Sequence, residues 1–98
     1  VRDSSGRPMR LLPWTSDTGM PCYLSTDNPE SRMSRLADKV EDELLASARD
    51  VLGHAKDLLR GPTPRHRELA FTGVQLAAAL EDALRIAKSR GVRLSPEE

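Results

Sequence analysis

Three observations predict a mainly α-helical chain, a long antiparallel two-helix hairpin preceded by a short N-terminal extended arm or β-hairpin. Apolar residues recur at three- and four-residue steps from Met33 to Leu59, and again from Leu69 to Ala87. A Gly61-Pro62-Thr63-Pro64 break separates the two stretches. Upstream, two short apolar runs flank a turn-forming segment.

The elements follow in chain order. Residues 1–8 (VRDSSGRP) are polar, hold Gly and Pro, and are expected to be disordered. Met9–Trp14 and Met20–Leu24 enclose Thr15-Ser16-Asp17-Thr18-Gly19, where Gly19 can adopt positive φ, so a β-hairpin is expected. Pro13 and Pro21 each remove a ladder donor, which requires edge strands or bulges at those points. A lone hairpin is marginal in water and must lie on the helices or on a partner.

Asn28 fits an N-cap, with Pro29 at the first helical position and Glu30 in the first turn. The first helix is expected over about 29–60, ~45 Å long at 1.5 Å per residue. Thr63 and Pro64 repeat the start signal, and a second helix is expected over about 64–90. Gly91 suits the left-handed position after it, with Val92 supplying the accompanying apolar contact. Residues 9–95 thus form one domain, with 96–98 a loose tail.

So short a connection makes the helices antiparallel neighbours. The expected facing pairs are Leu44 with Leu80, Val51 with Gly73 and Val40 with Leu84, while Gly73, Ala77, Ala83 and Ala87 allow close approach. The second helix carries more apolar residues than one seam can bury. Leu69, Gly73, Leu76, Leu80 and Ala83 form one line, with Ala70, Val74, Ala77 and Leu84 beside it. The surplus calls for cover by the arm, by a second copy in a two-fold four-helix bundle, or by another protein.

Composition points the same way. Of 98 residues, 38% are hydrophobic and only Trp14, Tyr23 and Phe71 are aromatic, so the core must be thin or shared. Lys plus Arg and Asp plus Glu are fifteen each, which argues against a general nucleic-acid coat or a membrane-surface binder. No signal-peptide pattern is visible in residues 1–10, and the longest apolar run, Leu76–Leu80, is far short of the ~20 residues of a membrane span. Cys22 is the only cysteine, which favours a reducing compartment. A cytoplasmic location is expected.

Chemistry leaves little trace. His54 and His66 have no second ligand at metal spacing, so no metal or cofactor is expected; His54 follows Asp50 by one helical turn and reads as a surface histidine. Cys22 has no histidine nearby in sequence to activate it and reads as a small buried hydrophobe. Asp38, Glu41, Asp42 and Glu43, facing Glu81 and Asp82, read as a solvated ion-pair network neutralised by Arg35 and Arg85, with Glu81–Arg85 a favourable pair. No glycine-rich phosphate loop is present. An enzyme is not expected.

Arg10-Leu11-Leu12-Pro13-Trp14, Pro21-Cys22-Tyr23-Leu24 and Ser34-Arg35-Leu36-Ala37-Asp38 carry a resemblance. The chain resembles small actinobacterial proteins with an RLLPW…PCYL arm followed by two helices. The resemblance covers residues 9 to about 95 and implies the arm-plus-hairpin fold but no activity. Secreted WXG-type hairpins are similar in length but carry Trp-x-Gly in the turn, where this chain has Arg60-Gly61-Pro62-Thr63.

The functional expectation is a non-enzymatic protein–protein interaction module, a small adaptor or regulator that self-associates. Leu12, Trp14, Tyr23, Val74 and Leu84 are its candidate contacts with a protein partner or a second subunit, with plain core packing the alternative for the arm residues. The second reading is a nucleic-acid-binding regulator or antitoxin-like protein. It would use the arginine-rich end formed by Arg32, Arg35, Arg85, Lys88, Arg90 and Arg93.

Overall fold

The computed structural model describes residues 9–25 and 31–94. The element order is β1 (Met9–Thr15), β2 (Pro21–Ser25), α1 (Arg32–Arg60) and α2 (His66–Leu94). The expected hairpin of helices and the small antiparallel N-terminal sheet are both present. The described residues form a rod, with principal extents of 56 × 25 × 24 Å. The expected disorder of residues 1–8 and the proposed cap at Asn28 and Pro29 lie outside the described residues.

The arm is a two-stranded ribbon pairing Met9 with Ser25, Arg10 with Leu24, Leu11 with Tyr23 and Thr15 with Pro21. The register shifts between Leu11 and Thr15, where Pro13 cannot donate to the ladder, so the bulge falls where the sequence requires one. Gly19 takes φ 82° in the turn and donates its N–H to Ser16 O at 2.9 Å. The Met20 N–H donates to Ser16 Oγ at 3.1 Å, closing the loop further.

α1 begins at Ser31, whose side chain accepts the Ser34 N–H at 3.2 Å. α2 starts two residues later than expected. Its first helical bond runs from Leu69 N–H to Arg65 O, and Glu68 Oε1 accepts the Arg65 N–H at 3.1 Å, one half of a capping box. Thr63 and Pro64 therefore belong to the connection. Gly91 does not end the helix either: Gly19 alone among the described glycines has positive φ, and α2 continues to Leu94.

The inward face of α1 is a strict three–four repeat of Ser34, Ala37, Glu41, Leu44, Ala48, Val51, Ala55 and Leu58, all buried or half-buried. The matching line on α2 is Thr72, Leu76, Ala79, Ala83 and Ile86. This corrects the expected pairing, because Gly73, Leu80 and Leu84 face outward. An apolar arc as wide as that of α2 leaves its rotation undetermined by periodicity; in the fold, α1 and β1 both pack on α2. β1 packs chiefly on α2 and less on α1, across the end of the rod away from the 61–65 connection. Buried Ser89 donates its Oγ–H to Leu11 O at 2.9 Å, and Ile86, about one helical turn before it, is buried too. Leu11, Leu12, Ala37 and Ile86 make the core at this end, and Ala55 the core nearer the connection.

Candidate protein-interaction surface

Turning Thr72, Leu76, Ala79, Ala83 and Ile86 inward leaves a second repeat of the same period outside. Ala70, Gly73, Ala77, Leu80, Leu84, Ala87 and Gly91 follow one another at three and four residues and are all exposed. Leu80 is 60% and Leu84 61% exposed, and Val74, on the flank of the stripe, 69%. A Cβ added at Gly73 or at Gly91 would meet nothing within 4 Å, so both ends of the stripe are open. Glu81 and Lys88 rim it beyond Val74, both exposed. A stripe of this length is a seam without a partner among the described residues, not the scattered exposure of single apolar residues.

The arm borders the stripe. Leu11, Thr15, Gly19, Pro21 and Tyr23 face Leu84, Arg85 and Lys88 around an open depression of about 280 Å³. Trp14 and Tyr23 are half-buried. Leu12, 6% exposed, belongs to the core, so the fold withholds it from a partner, while Val74 and Leu84 stand free on α2.

At the same end an ionic cluster ties the three elements together. Glu41, expected in a solvated network, is 1% exposed and is the largest fully buried side chain. Arg10 Nη2 donates to Glu41 Oε2 at 3.2 Å and to Asp38 Oδ1 at 2.7 Å, and Arg10 Nη1 to Ser34 O at 2.9 Å. Arg90 Nε donates to Glu41 Oε1 at 3.2 Å, with Asp42 Oδ1 3.6 Å from Arg90 Nη2. Arg10 and Arg90 are thus the cations at Asp38, Glu41 and Asp42; of the two expected, Arg85 does pair within the network, and Arg35 is in none of the described salt bridges. Arg85 pairs with Asp82 at 3.4 Å, not with Glu81. The sequence did hold a signal for Glu41, since it falls on the inward three–four repeat of α1; nothing local pointed to Arg10.

The arginine-rich end is accordingly one-third spent. Arg85 and Arg90 are engaged with carboxylates, Arg32, Arg35 and Lys88 are exposed, and the side chain of Arg93 lies outside the described residues. His54 is exposed and, with Asp50, Val51, Phe71, Thr72 and Gln75, lines a shallow depression of about 390 Å³. His66 opens α2 on the surface, and Cys22 is a half-buried free thiol. Among the described residues no three His, Cys, Asp or Glu gather into a metal-holding group, and no helix is long and apolar enough to cross a membrane. Compared with protein-family models, with curated proteins and with solved structures, the chain matches none of them.

Proposed function

We propose that this protein is a non-enzymatic interaction module, a small cytoplasmic adaptor or regulator that presents the outer face of α2 to another polypeptide. The observation that carries the reading is the exposed seam from Ala70 to Gly91, with Leu80 and Leu84 at its middle. A helix face with apolar anchors at three- and four-residue steps is the form in which helices recognise helices. The half-buried Tyr23, which lines the depression beside Leu84, fits the same role, because an aromatic anchor beside a helix face enlarges the contact at low entropic cost. The single cysteine supports the cytoplasmic location. The nucleic-acid reading draws less support, because two of its six basic residues are spent on carboxylates and the net charge is zero.

The test places a photo-crosslinking amino acid at Ala77, on the stripe, and in a second version at Arg49, on the exposed side of α1. Illumination in the producing cells is expected to give a discrete polypeptide adduct from position 77 and none from position 49. No adduct from position 77, or equal adducts from both, overturns the reading.

A further inference from the structure

Resting on that reading, we infer that the polypeptide seated on the α2 stripe is a second copy of this chain, paired antiparallel about a two-fold axis near Arg85 and Ile86. A two-fold interface must be complementary to itself, with residue i meeting j and j meeting i. The stripe meets that demand in both size and charge.

Size comes first. Running α2 antiparallel to itself about that axis sets Leu84 against Ala87 of the second copy and Leu80 against Gly91 of the second copy. Each of these layers then joins one leucine to one small residue, and the symmetry repeats each layer. The space at Gly91 is open, with nothing within 4 Å of a built Cβ, and Leu80 is the side chain that would fill it. Knobs from one helix need holes in the other, and alternating large and small residues supply both.

Charge selects the same alignment. Glu81 and Lys88 lie one heptad apart on the rim of the stripe, both exposed, and neither has an ion pair among the described salt bridges. In this register Glu81 faces Lys88 of the second copy, and Lys88 faces Glu81 of the second copy. Shifting the pairing by one heptad toward the N-terminus moves Glu81 toward its own symmetry mate instead, a like-charge contact that opposes that register.

The area sets the strength. α2 overlaps itself from Ala77 to Leu94, ~27 Å of helix at 1.5 Å per residue, and a strip one helix diameter (~12 Å) wide along it covers roughly 320 Å² per copy. The total of about 650 Å² lies below the standard range of specific interfaces and fits only a weak, transient pair. The depression of about 280 Å³ between the arm and Leu84, at the edge of the stripe, gives the second copy further surface to fill. The pair is therefore a weak, reversible dimer whose population rises with concentration.

Sedimentation equilibrium on the full chain tests this from about 10 to about 500 µM. The mass is expected to rise from 10.8 kDa towards twice that value with concentration. Leu80→Glu and Leu84→Glu are expected to hold the monomer mass throughout with unchanged helical circular dichroism, since both side chains are exposed and their loss costs the fold little. Glu81→Lys and Lys88→Glu are each expected to weaken the dimer by about tenfold, and the double exchange to restore it to within about threefold. A wild-type chain that stays monomeric to the highest concentration overturns the inference, as does a double exchange that restores nothing. If the chain is monomeric while position 77 still crosslinks to a different polypeptide, the second-copy assignment fails and the interaction module stands. If neither self-association nor any adduct is found, both fall.

Discussion

Replacing Arg10 by methionine removes one guanidinium from the buried cluster and keeps most of the apolar stem. Arg10 is 10% exposed and bonds Glu41, Asp38 and the Ser34 carbonyl, while Glu41 is 1% exposed. The substitution leaves Glu41 with Arg90, which is 44% exposed and shared with Asp42. Breaking a buried ion pair by deleting one partner costs about 3–5 kcal/mol. Because Arg90 remains and water reaches it, the loss is reduced to about 2–4 kcal/mol. At about 4–8 °C per kcal/mol for a domain of this size, the melting temperature is expected to fall by roughly 8–32 °C. Thermal melts by circular dichroism measure the loss. Trp14 emission, from β1 itself, reports whether the arm leaves first.

Arg60→Met is the control, since Arg60 and Asp57 pair in the open at 72% and 76% exposure, and it should change stability by less than about 0.5 kcal/mol. The double variant Arg10→Met/Glu41→Met should recover part of the loss by removing the stranded carboxylate. If Arg10→Met melts within about 3 °C of the wild type, the cluster does not hold the arm to the helices and the argument fails.

The glycines give a contrast of sign. Gly53 and Gly19 both have open space where a Cβ would go, but only Gly19 has positive φ. Gly53→Ala should raise stability by about 0.5–1 kcal/mol, and Gly19→Ala should lower it by about 1 kcal/mol, both read by urea titration. Ala37 is fully buried on the inward face of α1, one turn from both Ser34 and Glu41, which Arg10 bonds. Ala37→Leu should cost about 1–3 kcal/mol, and a melting temperature equal to the wild type's would show a looser junction than the structure has.

Local sequence sufficed for the set of elements and their order. Periodicity at three and four residues from Met33 to Leu59 demands a helix wherever it falls, and Gly61-Pro62 cannot continue one, so the helical hairpin follows. Gly19 and Pro13 placed the turn and the bulge of the arm in the same way, because backbone restrictions act locally. The ends of the helices were less legible, since Ser31 is one of several residues there with a capping oxygen, and Arg65, with no side-chain acceptor, gives no N-cap signal where α2 in fact starts.

The tertiary structure decided which face of α2 is inside. Its apolar residues cover so wide an arc that Leu80 facing Leu44 and Leu80 facing solvent fit the sequence equally well. In the fold Leu11 docks on Ser89, with Ile86 inward and Leu80 and Leu84 out, an arrangement that depends on what α1 and the arm bring against α2. The burial of Glu41 is of the same kind. Its helix face was readable, but the cations that stabilise its charge there come from Arg10 and Arg90, thirty-one and forty-nine residues away, and only folding brings them together. Local propensity is written residue by residue; the rotation of a helix and the burial of a charge are settled by what arrives against them.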